Sequence, residues 1–252
     1  MADWSEIDGV WIQRGAREKV LASLPRNVIG LIEEIELFAG TQIEFRDKSI
    51  LLSAGETNVG VESVFATHTH AYISLPDLDS VNASAIIHEL LHLRRYWVEQ
   101  VPQIEATTNR SPFVELAANI DNAVEHLSIV PRERDYGFNP APYWNKIVEG
   151  YWRDFPWLEV GPQDRRMRCL LGWLSLPLID SNALAIDIRA RVASAGLLAD
   201  AQKFLVRIQS LPSKVRIASA VFRFLQIPRN NFELVVLDIR NRKSERRSIP
   251  EH

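Results

Sequence analysis

Ala85-Ile86-Ile87-His88-Glu89-Leu90-Leu91-His92-Leu93 carries two histidines four positions apart, with a glutamate directly after the first. Four residues is just over one helical turn, so on a helix both imidazoles leave the same face, at a spacing that lets them reach one metal ion. Glu89 lies about 100° further round, off the shared coordination direction but within reach of a water held on that metal. The pattern therefore supplies two metal ligands and a general base, and a bound zinc would lower the pKa of its water to roughly 7. Apolar residues surround the pair, and neither Pro nor Gly occurs between Val81 and Val101, which predicts a buried helix.

His-Glu-x-x-His on a helix resembles the zincin superfamily of zinc metallopeptidases. The likeness covers the helix and roughly the next fifty residues. It implies a Zn²⁺ cofactor, a peptide or protein substrate, and hydrolysis of the peptide bond by a zinc-activated water. His88 and His92 would be the first two ligands and Glu89 the base.

Before the motif, Arg14 to Ala39 reads as helix broken near Pro25, with Val28, Leu31, Ile32, Ile35 and Phe38 at spacings of three and four and Gly40 as the stop. From Thr41 the period changes to two. Thr41–Arg46, Ser49–Ser53, Val59–Phe65 and Ala71–Leu75 read as strands, the first two as a hairpin. Strands running into such a helix are again similar to the zincin layout, which makes Tyr72 to Leu75 the candidate sheet edge for pairing with extended substrate. His68 and His70 read as loop residues, and Asp79, Ser80, Asn82 and Ser84 are the candidate caps of the motif helix, which is expected to reach about Glu99 before Pro102.

Val101 to Arg110 reads as a loop. Ser111-Pro112 opens the next helix and Pro131 closes it, with Phe113, Leu116, Ala117, Ile120, Val124 and Leu127 as its apolar stripe. A catalytic zinc usually has three protein ligands, so one more His, Glu or Asp is expected, and this helix carries four that lie off the stripe: Glu115, Asp121, Glu125 and His126. Asn122-Ala123-Val124-Glu125-His126 resembles the Asn-x-x-Glu-Asp ligand helix of Glu-type zincins, which selects Glu125, with His126 standing where that family has Asp. Glu115 to Asn119 is similar to the Glu-x-x-x-Asp of thermolysin-like enzymes, and His126 would give a three-histidine site, so both stay open as alternatives. Tyr136 and Tyr143 are candidates for hydrogen-bonding the oxyanion of a tetrahedral intermediate.

Helical spacing continues through Tyr143–Phe155, Arg165–Leu176, Asn182–Ala195, Leu197–Leu211 and Lys214–Leu225, and Phe232–Ile239 reads as a final strand. The expectation is an α+β protein: a zincin-like core with a small N-terminal sheet and the active-site helix in residues 1–140, then a mostly helical region in 141–252, or one continuous domain. With 46% hydrophobic and 24% charged residues the composition is that of an ordinary globular chain, and a net charge of −3 excludes a nucleic-acid footprint over the whole surface. Arg240, Arg242, Lys243, Arg246 and Arg247 form a basic cluster that reads as a solvated tail.

Cys169 is the single cysteine, so neither an intrachain disulfide nor a Cys-based zinc site can form. Neither an export signal nor a membrane-spanning run is legible, which places the expected protein in the cytoplasm, away from membranes. The oligomeric state has no signal in the sequence. The resulting expectation is a zinc metallopeptidase; the alternatives are an inactive zincin-like module that binds a peptide or regulatory partner, and a helical interaction protein.

Overall fold

Pro25 breaks the first helical stretch, giving α1 (Ala16–Ser23) and α2 (Arg26–Ala39). The structure, a computed structural model, describes residues 4–7, 10–13, 15–47, 63–108, 110–157, 159–209 and 213–250. An antiparallel hairpin of β1 (Trp4–Ile7) and β2 (Val10–Gln13) precedes α1. At the end of α2, Gly40 takes the left-handed conformation, φ 67°, and its N–H donates to the Glu36 carbonyl, the glycine stop that the sequence indicates.

The change of period after Gly40 produces β3 (Ile43–Asp47), β4 (Ser63–Ala66) and β5 (Ala71–Leu75), arranged in the order β3-β5-β4. β3 runs parallel to β5, and β4 antiparallel to it with Val64 opposite Ile73. This corrects the expected edge: Tyr72 to Leu75 belongs to the central strand. The physical reason is burial, because Ala71, Ile73, Ser74 and Leu75 are all buried and such a strand needs neighbours on both sides. The expected strand Ser49–Ser53 and residues 59–62 lie outside the described residues.

The motif helix is α3 (Ala83–Trp97). Asn82 caps it, its Oδ1 accepting from the backbone N–H of Ser84 at 3.1 Å and of Ala85 at 3.4 Å. Ile86, Ile87, Leu90, Leu91, Leu93 and Trp97 are fully buried. They join Ile32 and Ile35 of α2 with Phe45, Ile73 and Leu75 of the sheet in the core of this part of the chain. Arg94 ties α3 to α2 through Glu34 Oε1 at 3.0 Å, and the Trp97 indole N–H donates to the Thr67 carbonyl in the β4–β5 turn at 2.8 Å.

Three further readings are corrected after α3. The loop expected from Val101 contains a short strand, β6 (Gln103–Ala106), whose one buried residue, Ile104, is too little to register as alternation. α4 (Ser111–Glu133) runs through Pro131 instead of stopping there, since a proline two residues from the end removes a single ladder bond, and the 3-10 turn Arg134–Tyr136 follows. The expected helices then come in order: α5 (Ala141–Arg153), α6 (Pro162–Ser175), α7 (Asn182–Ser194), α8 (Leu198–Gln209) and α9 (Lys214–Leu225). Finally β7 (Phe232–Asp238) and β8 (Lys243–Ser248) complete a sheet of order β6-β7-β8. The basic cluster read as a tail therefore lies largely on β8, a strand whose six residues are all exposed, which is why its composition gave no strand signal.

The described residues thus form nine α-helices and three small sheets, a mixed α and β architecture. They divide into two compact units. The first comprises Met1–Val101 with Val236–Glu245, the second Pro102–Val235 with Arg246–His252. The end of the chain returns to the first unit: Gln100 Nε2 donates to the Leu237 carbonyl at 3.3 Å and Arg240 Nε to the Phe38 carbonyl at 3.2 Å. In the second unit, α5 and α6 touch where Gly172 leaves room for the buried Trp152 ring. No helix among the described residues is long and apolar enough to cross a membrane.

Candidate metal centre

α3 presents His88 and His92 one turn apart, as the spacing requires, with ring centroids 5.0 Å apart and ring planes nearly perpendicular. His88 is half-buried and His92 buried, since the second ring sits deeper along a helix packed in the core. Tyr96, one turn further on, stacks on His92 with its hydroxyl 3.5 Å from Nδ1. A hydroxyl on that side leaves Nε2 as the donor for a metal and holds the ring's orientation.

Glu89 reaches from α3 to the sheet. Its Oε2 accepts from the backbone N–H of Val64 on β4 at 2.8 Å. Because Val64 faces Ile73 across the ladder and gives its N–H to Glu89, that amide points away from β5, toward the side of β4 that carries no partner strand among the described residues. Helix and strand are thus joined at the general-base position. Sequence reading identified both partners' elements, but nothing in it signals a hydrogen bond between a side chain and a particular backbone amide.

The third-ligand candidates lie on α4, and the structure separates them. Glu125 is 0% exposed, and its Oε1 is 2.9 Å from Lys214 Nζ at the start of α9. Asp121, one turn earlier, is 2.6 Å from the same ammonium and also accepts the Ile104 N–H at 2.6 Å. Both carboxylates therefore take part in a buried ion-pair network. The signal that would have revealed it, Lys214, comes far later in the chain. Glu115 is exposed on α4. His126 is half-buried, its ring tilted against Trp144 of α5 at 4.5 Å between centroids, a contact sequence reading did not anticipate.

His88, Glu89 and His92 belong to the first compact unit, and Glu115, Asp121, Glu125 and His126 to the second. Two imidazoles one helical turn apart, with Glu89 adjoining the first in sequence, are a donor pair that suits zinc, a borderline-soft cation that accepts neutral nitrogen ligands. Tyr136 is half-buried in the 3-10 turn, and Tyr143 is 45% exposed, edge-on to Trp144. His70 is engaged by the Thr67 and Thr69 hydroxyls at 3.2 and 3.1 Å in the β4–β5 turn, in keeping with its reading as a loop residue. No family model matches the chain, and neither a curated protein nor a solved structure does.

Proposed function

We propose that this chain is a zinc-dependent peptidase in which His88 and His92 hold the metal, with Glu125, or as alternatives Glu115 or His126, as the third ligand, and Glu89 serves as the proton carrier. The pair of imidazoles one turn apart on the buried His-Glu-x-x-His helix supports the reading. Zinc bound by such a set supplies Lewis acidity, acidifying water and polarising a carbonyl. The chain's own residues do the rest. Glu89 takes a proton from the attacking water on one carboxylate oxygen and delivers it to the departing amine nitrogen. Tyr96 steadies His92, and Trp144 restricts the ring of His126. Tyr136 and Tyr143 remain the candidates for stabilising the oxyanion.

A second reading follows from Glu89 itself. Its bond to Val64 supports a zincin-like binding module in which the glutamate fastens β4 and takes no part in chemistry. Elemental analysis together with hydrolysis of a mixed-sequence peptide library separates the two. The peptidase reading expects one zinc per chain in the wild type, retained in Glu89→Gln and weakened in His92→Ala, with hydrolysis lost in both variants. Full hydrolysis by Glu89→Gln sinks the base assignment. Absence of zinc after reconstitution of the wild type sinks the metal site.

A further inference from the structure

Arg168, on α6 in the second unit, combines three conditions that rarely occur together. Its guanidinium carbon stands 4.5 Å from the ring centroid of Phe155 and 5.0 Å from that of Tyr151, so two aromatic rings hold the cation by their faces. Its Nε is buried and has no hydrogen-bond acceptor. Among the described residues no carboxylate pairs with it, and its one ionisable neighbour is the Tyr151 phenol, itself hydrogen-bonded to Ser175 at 2.6 Å. The nearby Arg191 has comparable aromatic company over Trp157, yet it has an acid, Asp187 at 3.1 Å.

Arg168 is half-buried, so its cation is only partly hydrated and has no counter-charge beside it, and buried donors such as its Nε are almost always satisfied. Burial pushes the Arg168 guanidinium below its ordinary value, as expected where water has been removed and no anion put in its place. Nε alone of its nitrogens is buried without a partner, so the two terminal nitrogens face solvent from a group whose orientation the rings restrict. A fork of N–H donors fixed in this way matches the paired oxygens of a carboxylate or phosphate.

We propose that Arg168, walled by Tyr151 and Phe155, is a binding site for an oxyanion group, a carboxylate or a phosphate. This site is independent of the histidine cluster, and its test does not use activity. Thermal denaturation of the full chain is followed with increasing sodium phosphate, sodium acetate or sodium chloride at matched ionic strength, in the wild type, Arg168→Gln and Arg168→Lys. The expected result is a saturable rise in Tm with phosphate or acetate but not with chloride, which of the two identifying the oxyanion. The rise should vanish in Arg168→Gln, and its half-saturating concentration should increase at least about ten-fold in Arg168→Lys, which keeps the charge and loses the fork. Arg168→Lys keeps the test decisive if Arg168→Gln does not fold. A rise common to all three salts, no rise at all, or one unchanged in Arg168→Lys overturns the proposal.

Discussion

Glu125 is where chemistry legible in the sequence and chemistry decided by distant residues part. As the middle of Asn-x-x-Glu-His it has the type and position of a ligand, yet Lys214, 2% exposed in its side chain, holds it and Asp121 together. Removing the shared cation of such a network leaves two buried carboxylates without it, which costs about 3–5 kcal/mol. Lys214→Met is therefore expected to lower the urea midpoint markedly. His88, Glu89 and His92 were legible because a four-residue helical spacing is local. The choice among Glu115, Glu125 and His126 was not, because it depends on which side chains of other elements reach α4. Cys169 gives a second residue-scale expectation. Burial drives its thiol up to about 11, so at pH 7–9 it stays protonated. An aromatic disulfide reagent at pH 8 should leave it unmodified in the folded chain and titrate it once the chain is unfolded in guanidinium.

At the scale of elements, helices with a sustained apolar stripe were readable and the short or polar strands were not. α2 and α3 carry repeated buried positions together with a glycine stop or an asparagine cap, signals that reinforce one another along the sequence. β6 and β8 exist because β7 lies between them, and pairing of that kind leaves almost no trace in four or six residues. The contact of α5 with α6 is equally invisible beforehand but can be tested. A Cβ at Gly172 would stand 2.3 Å from Cζ3 of the fully buried Trp152 ring, with two more ring atoms at 2.9 Å, so the ring or the helix would have to shift. Gly172→Ala, which would ordinarily favour a helix, should instead destabilise by about 1–3 kcal/mol, read as a lower Tm. A higher Tm would mean that the two helices are not in close contact.

For the molecule as a whole, the helical character of the second half was evident from its proline and glycine punctuation, whereas the division into units was not. A sequence-continuous boundary at 140 presumes that each unit is built from one stretch of chain, and here both draw on two. Val236–Glu245 belongs with residues read at the very start: Arg240 lies 3.9 Å over the Phe38 ring and bonds that residue's carbonyl. Arg240→Ala removes a cation–π contact of roughly 0.5–1 kcal/mol at an exposed site along with this hydrogen bond. Amide hydrogen exchange should accelerate around the end of α2 and spare α6 and α7. Uniform acceleration throughout the chain would contradict the assignment of this segment to the first unit.

The discontinuity also bears on how the protein is made. A ribosome delivers Met1–Val101 first, but the segment that completes it emerges only after all of Pro102–Val235 has been synthesised. At elongation rates of ~5–20 residues per second the delay is on the order of ten seconds, far longer than the collapse of a small chain. During that interval the nascent first unit lacks Arg240 beside Phe38 and the Leu237 carbonyl beside Gln100, so its protection from aggregation must come from a ribosome-associated holdase or from its own partial packing.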